Sequence, residues 1–313
     1  MSKRVRTHNK LLFVEKARKR KALITGGTGF IGSHLAKRLV RERWEVYTIV
    51  RPDFDKDLVK KLPAEVIQCN FDGKLASLKN IMKDVKPDIV FHLAALVIAD
   101  QHRPEEFEPL IQSNFLFGCQ MLEAMLFAGV GNIINTGSFF QHYSGRGYDP
   151  VNLYAATKQA FEDVLKYYVE VRSFRAITLK LFDVYGPEDT RKKIFNFLEE
   201  ASKTGKTLLM SPGRQKLDLV YIDDVIDAYL HAVKLLGSSK HCKEEFGYAV
   251  SSGVRMELKQ VVKLYEKILQ KSISVKWGGR PYRAREVNVP WVGRPLPGWK
   301  AKVKLNDGLQ YLS

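Results

Sequence analysis

The stretch that most limits the folds open to this chain is Lys21 to Leu35, KALITGGTGFIGSHL. Its apolar run Ala22-Leu23-Ile24 reads as a short buried strand. Gly26, Gly27, Gly29 and Gly32 follow at once, and an amphipathic segment begins inside that cluster. Strand, glycine turn and helix in this order make a phosphate cradle. Gly26 permits the tight turn, Gly29 lets the backbone approach a pyrophosphate, and Gly32 lets helix and strand pack closely. The new helix offers its unpaired N–H groups and positive dipole end to the anion, so the stretch predicts dinucleotide binding.

The rest of the chain continues the alternation. Strands are expected at 22–24, 45–50, 65–69, 88–92, 132–136 and 176–180, and helices at 75–85, 104–128, 152–171 and 194–204. Apolar residues at helical spacing (Phe107, Leu110, Ile111, Phe115, Met121, Leu122, Met125) make 104–128 one long helix. This pattern predicts an α/β fold: a doubly wound, Rossmann-type parallel sheet followed by a smaller mixed lobe. The expected divisions are a disordered basic arm at 1–20, a dinucleotide-binding domain at 21–180, and a substrate lobe at 181–313 partly interleaved with it.

Charge raises a different possibility. The net charge is +17, a value that in itself suggests nucleic acid. Residues 1–21 hold nine Lys/Arg against the single acid Glu15, so about half the excess sits ahead of the first strand. The remainder is scattered, with no aromatic-interleaved basic stripe, which argues against specific nucleic-acid reading. Diphosphate-bearing ligands account for some of it. No apolar stretch is long enough to span a bilayer, and the basic start lacks the apolar core and cleavage site of a secretory signal. Cys69, Cys119 and Cys242 are odd in number and widely spaced. They form neither a disulfide framework nor a metal site, and a reducing cytoplasm is the expected location.

The expected chemistry gathers after the fifth strand. Gly137-Ser138 closes that strand, and 16 residues on come Tyr154-Ala155-Ala156-Thr157-Lys158. Tyr154 and Lys158 lie one turn apart on one helix face. A phenol has a pKa of roughly 10; an adjacent ammonium and an oxidised nicotinamide favour the phenolate and lower it. A serine hydroxyl at the strand end then holds the substrate oxygen while the tyrosine exchanges its proton. Arg51 closes the second strand, where an acid would suit the ribose 2′-hydroxyl of NAD and an arginine the 2′-phosphate of NADP. With Asp53 in a looser position, NADP(H) is favoured over NAD(H).

The stretches TGGTGFIGSHL (25–35), FHLAA (91–95), SNFLFGCQMLEA (113–124), YAATK (154–158), LKLFDVYGP (179–187) and LDLVYIDDV (217–225) resemble the extended short-chain dehydrogenase/reductases. The likeness is to the nucleotide-sugar epimerase/dehydratase group and covers almost everything beyond the basic arm. It implies that Ser138, Tyr154 and Lys158 are catalytic. It assigns Gly26, Gly29, Phe30 and Ile31 to the pyrophosphate, Arg51 to the 2′-phosphate, and Leu93, Ala94 and Ala95 to the nicotinamide-side ribose. Adenine contact falls to Asn70-Phe71, where the family often has an Asp-hydrophobic pair; Asp72 is a possible substitute. Asn114 takes a structural role.

Fold alone does not choose among the reactions such a scaffold performs. Family dehydratases carry an Asp-Glu pair after the catalytic hydroxyl; this chain has Phe139-Phe140, which leaves elimination without an acid or base. No Cys or Lys stands there for epimerisation at C3 or C5. Hydride-only chemistry remains. INTGSFF (134–140) and SPGRQKLDLVYIDD (211–224) resemble reductases acting on CDP-4-keto-dideoxyhexoses, which implies NADPH-dependent reduction of a nucleotide-linked 4-keto-6-deoxy hexose in deoxysugar and lipopolysaccharide biosynthesis. The alternatives are a nucleotide-sugar 4-epimerase with retained NAD and a non-catalytic dinucleotide sensor. Phe139, Phe140, Arg191, Lys216, Arg280 and Arg283 are expected on the nucleotide-diphosphate sugar. Likeness further implies a homodimer through helices 104–128 and 152–171, with Phe115, Met121, Phe161 and Tyr168 serving core or interface.

Overall fold

The computed structural model describes residues 18–51, 56–143, 145, 147–238 and 247–312. The first half runs β1 (Lys21–Thr25), α1 (Phe30–Arg41), β2 (Glu45–Val50), α2 (Lys56–Val59), β3 (Ile67–Asn70), α3 (Leu75–Val85), β4 (Ile89–His92), α4 (Phe107–Ile111), α5 (Phe117–Ala128) and β5 (Asn132–Ser138). The second half adds α6 (Leu153–Val171), β6 (Arg175–Leu181), β7 (Asp183–Tyr185), α7 (Ile194–Thr204), β8 (Leu208–Met210), β9 (Lys216–Tyr221), α8 (Ile222–Gly237) and β10 (Gly247–Val250). β11 (Arg255–Glu257), α9 (Leu258–Leu269), β12 (Val275–Trp277) and α10 (Leu305–Gln310) complete it. The basic arm up to residue 17, Asp53 and Cys242 lie outside the described residues.

Seven strands form one parallel sheet in the order β10-β6-β5-β4-β1-β2-β3. The chain winds outward from β1 in both directions, so the order reverses between β1 and β4. That reversal opens a crevice at the carboxyl ends of the strands, where ligands bind in sheets of this kind. β1 and β4 carry unbroken apolar runs, Ala22-Leu23-Ile24 and Ile89-Val90-Phe91, because both faces of the sheet are covered. One core cluster holds Leu35, Leu39, Ile134, Leu179 and Tyr229 on the α1/α8 side; the other holds Leu78, Met82, Met121, Met125, Phe161 and Leu165 on the α3/α5/α6 side. Beyond the main sheet, β11-β9-β7 and β12-β8 form two smaller sheets. Although β10 lies late in the chain, it pairs with β6 of the main sheet.

One expected element differs. The helix at 104–128 is not uniform: a 3-10 turn at Pro104–Glu106 leads into α4, and a π-helical turn at Gln112–Leu116 separates α4 from α5. The π turn presents Asn114 inward, where its Oδ1 accepts from the Leu96 N–H at 2.7 Å and its Nδ2 donates to the Leu96 carbonyl at 2.9 Å. The same Nδ2 reaches Thr157 Oγ1 on α6 at 3.2 Å. Asn114 therefore ties the loop after β4 to α6.

Candidate active site

The main cleft, about 1050 Å³, lies over the carboxyl edge of the sheet between the strand ends and the smaller sheets. Its floor is the glycine turn. Gly26 has φ +70°, and a Cβ there would stand 2.8 Å from the Ala94 nitrogen; at Gly32 it would stand 2.1 Å from the Gly26 carbonyl. Both positions therefore require glycine. The Gly29 N–H bonds the Gly26 carbonyl at 3.0 Å, and Gly29 in turn accepts from Ser33. The first amides of α1, at Phe30 and Ile31, have no intrahelical acceptor, and both residues line the cleft.

Ser138 ends β5 and starts a short 3-10 turn over Phe139–Gln141. Its Oγ accepts from the Phe140 N–H at 3.2 Å, and its hydroxyl also hydrogen-bonds the Tyr154 side chain. Tyr154 and Lys158 come from α6, which starts at Asn152, whose side chain caps the Ala155 N–H at 3.0 Å. All three line the cleft. Lys158 is 2% exposed, and burial lowers its pKa to about 8, opposed by the Glu162 carboxylate one turn on. Tyr154 moves the other way: burial raises it to about 12, opposed by Ser138 and Arg191. Desolvation of the phenolate is the largest cause and sets this direction against the lowering by Ser138 and Arg191. His92, fully buried behind Lys158, is held neutral by burial and by that ammonium, its pKa lowered to about 3; it meets Thr25 Oγ1 at 2.9 Å.

Several other expected residues share the cleft: Gly26, Gly29, Leu93, Ala95, Phe139, Phe140, Arg191, Arg280 and Arg283. Arg191 is locked by a fork onto Asp189 (2.7 Å at both oxygens) and a 3.0 Å bond to the Val184 carbonyl. Its guanidinium lies 4.4 Å from the centre of the Phe30 ring, bringing it to the glycine turn as well as to the substrate lobe. Arg283 pairs with Asp100 across the cleft mouth at 3.3 Å.

The remaining assignments fall elsewhere. Phe71 is buried and packs on Phe117 at 5.2 Å within the α3/α5 core. Ala94 supports the turn from beneath, its N–H donating to Thr25 Oγ1 at 3.1 Å, and does not line the cleft. Asn70 and Arg51 are exposed at the carboxyl ends of β3 and β2, beyond the cleft wall. Lys216 borders a smaller cavity of about 120 Å³ that adjoins the cleft and shares Phe139, Phe140, Asp183 and Arg283 with it. Of the four residues left between core and interface, Met121, Phe161 and Tyr168 are buried in the core and Phe115 packs against it.

A polar cluster behind Ser138 emerges only in three dimensions. Gln141, Glu162, Lys180 and His142 are all buried there. Beside it run stacked rings: Phe139 on Phe182 (5.0 Å, 4° between planes) and His142 on Trp291 (3.9 Å, 13°). Only Glu162, four residues beyond Lys158, carries a sequence signal, through its helical spacing.

A parallel sheet of this order, a glycine turn at its switch point and a Ser/Tyr/Lys set at the adjoining strand end define a Rossmann-fold enzyme scaffold of the dehydrogenase/reductase type. The model of the NAD dependent epimerase/dehydratase family matches residues 22–243, and the chain belongs to that family. It is 31% identical to the CDP-abequose synthase of Yersinia pseudotuberculosis over 86% of this chain and 90% of that protein. It is 27% identical to the CDP-abequose synthase of Salmonella muenchen over 93% and 96%. Among solved structures, the UDP-glucuronic acid 4-epimerase from Bacillus cereus, in complex with UDP-glucuronic acid and NAD, superposes with a TM-score of 0.80 at 24% identity, covering 93% of this chain and 97% of that one. The UDP-glucose 4-epimerase of Thermus thermophilus, in complex with NAD, gives 0.77 at 24% over the same shares. Among the described residues no helix is long and apolar enough to cross a membrane, and no three His, Cys, Asp or Glu cluster to hold a metal.

Proposed function

We propose that this chain reduces a nucleotide-linked 4-keto-6-deoxy or dideoxy hexose to the 4-hydroxy sugar, using NADPH. The observation that carries this reading is the residue set at the end of β5. Ser138, Tyr154 and Lys158 line one cleft, while Phe139 and Phe140 fill the two positions after Ser138 with rings. Such a site has a proton donor and an oxygen-positioning hydroxyl but no carboxylate at those positions for eliminating water. Likeness to the CDP-abequose synthases across most of both chains supports a CDP-linked dideoxy sugar.

The residues present fit a dinucleotide. A Cβ at Gly26 or Gly32 would fill the cradle, and the ammonium of Lys158 is buried where it faces the cleft. Gly26, Gly29, Phe30 and Ile31 would hold the pyrophosphate, Lys158 the nicotinamide-side ribose, and Arg51 the 2′-phosphate. When bound, the reduced cofactor supplies the hydride. Tyr154 then provides the proton. Its pKa of about 12 keeps it a neutral phenol at physiological pH, the form required to protonate an oxyanion. Ser138 donates to the substrate oxygen and Lys158 supplies positive charge next to the phenol as its proton leaves. Arg280 and Arg283 suit a diphosphate, which a guanidinium grips through paired N–H groups.

The test is an NADPH-consumption screen against nucleotide-linked 4-keto-6-deoxy sugars, with NMR of the product. Turnover of a CDP-linked 4-keto-dideoxyhexose, falling at least about a hundredfold in Tyr154→Phe, is the expected result. Purified protein that carries stoichiometric NAD and interconverts 4-epimers without added cofactor would overturn it in favour of an epimerase. Tyr154→Phe with unchanged turnover would remove the catalytic assignment.

A further inference from the structure

The catalytic hydroxyl and the catalytic tyrosine–lysine pair come from different elements, β5 and α6, and one buried side chain joins them. Gln141 Oε1 accepts from the Ser138 N–H at 2.9 Å. Its Nε2 donates to Glu162 Oε2 at 2.8 Å and to Gln159 Oε1 at 2.7 Å, and both acceptors lie on α6. Gln159 follows Lys158 directly, and Glu162 lies one turn beyond it. Every polar atom of the Gln141 amide is therefore spent on holding the strand end that bears Ser138 to the helix that bears Tyr154 and Lys158.

The surroundings are built for this bridge. Gln141 is wholly buried. Glu162 is fixed from the neighbouring strand by Lys180, with Nζ 3.4 Å from Oε2, and Lys180 Nζ also lies 3.0 Å from His142 Nε2. His142 Nδ1 is engaged by the Gly147 carbonyl at 2.9 Å, so Nε2 is left as the acceptor for the ammonium. Gly137 leaves the room: a Cβ there would stand 2.9 Å from both Gln141 Oε1 and Lys180 Cγ. The amide accepts from the Ser138 N–H and donates to a carboxylate at once, which an ionised carboxylate in its place could not do.

We propose that Gln141, anchored by Glu162 and Lys180, is a positioning residue that sets the register between Ser138 and the Tyr154–Lys158 pair. This rests on the catalytic reading of those three residues. The amide carries no reacting proton; it fixes where the Ser138 hydroxyl stands. Misplacing that hydroxyl weakens hydrogen bonding to the developing oxyanion and leaves substrate binding largely intact.

Three variants of the full chain test it, with a CDP-linked 4-keto-dideoxyhexose and NADPH as probes. Gln141→Leu removes the bridge, and Gln141→Glu sets a second carboxylate against Glu162. The double variant Gln141→Glu/Glu162→Gln restores the links to the Ser138 N–H and to position 162, the latter with donor and acceptor exchanged, and gives up only the bond to Gln159. Both single variants at position 141 should lose at least about tenfold in kcat with KM values within about threefold, and the double variant should regain most of that loss. Hydrogen exchange read on peptides spanning 136–141 needs no substrate; it should quicken at the Ser138 amide in Gln141→Leu and slow again in the double variant. A folded Gln141→Leu protein with kcat within about twofold of wild type, or a double variant no better than Gln141→Glu, would overturn the proposal. If Tyr154→Phe leaves turnover unchanged, the catalytic reading fails instead. The exchange result then decides the bridge separately, and an unaltered Ser138 amide sinks it.

Discussion

At the scale of single residues, the site holds two groups whose pKa values are driven past their ordinary ranges in opposite directions. Tyr154 rises to about 12 and Lys158 falls to about 8, and in both cases burial is the largest cause. The groups facing Lys158 are Glu162 on its own helix, which raises it, and His92 on β4, which is neutral and feels the ammonium. If activity requires the charged lysine, the rate falls as pH climbs through about 8. Glu162→Gln removes the charge that favours the ammonium, so Lys158 loses its proton more readily. The alkaline limb of the kcat profile should move to lower pH by about half a unit or more, with the acid limb unmoved. An alkaline limb that stays in place would show that Lys158 does not govern it. Unlike the changes at Gln141, this one preserves the bridge, because the amide carbonyl introduced at position 162 still accepts from the Gln141 side chain.

At the scale of elements, the sequence is most legible where burial imposes a simple pattern. The helices at 75–85 and 194–204 and the strand at 45–50 lie where periodicity puts them, because parallel-sheet strands are buried on both faces and their helices on one. The π turn at 112–116 is not legible. It alters the hydrogen-bond step while preserving an apolar helical spacing on either side, and only Asn114 meeting Leu96 and Thr157 reveals its use. Phe71 escapes the sequence for a related reason. A single residue after a strand carries no periodicity to say how deeply it is buried, and Phe117, the ring it packs on, lies far along the chain. The Gln141 cluster joins a 3-10 turn, α6 and β6, and such a tertiary meeting leaves almost no local trace. Asn114 makes a direct prediction. Asn114→Leu leaves the Leu96 N–H and carbonyl without partners in a partly buried loop and should lower unfolding free energy by about 2 kcal/mol. Urea denaturation checks this, and a loss below about 0.5 kcal/mol would show that the loop re-forms its bonds with water.

At the scale of the whole molecule, the walls of the cleft share one continuous apolar core and are also fastened by side chains that reach across its rim. Lys37 on α1 pairs with Glu188 at 2.6 Å, and Arg191 covers the Phe30 ring, so the loop after β7 is fastened to the glycine turn. Arg283 reaches Asp100, and Arg285 pairs with Asp149, which fastens the segment after β12 to the loops after β4 and β5. A dinucleotide seated along the carboxyl edge would touch both sides of these closures and stabilise the folded chain by mass action. At about a hundred times its Kd, a ligand that binds only the native state adds about 2.7 kcal/mol. For a chain of this size that is a rise in Tm of roughly 4 °C. NADPH should reach that shift at lower concentration than NADH if Arg51 meets a 2′-phosphate, and Arg51→Ala should bring the two dose curves together. Equal curves for the wild-type protein would remove the NADPH preference while leaving the fold, the cleft and the Ser138–Tyr154–Lys158 set as they stand.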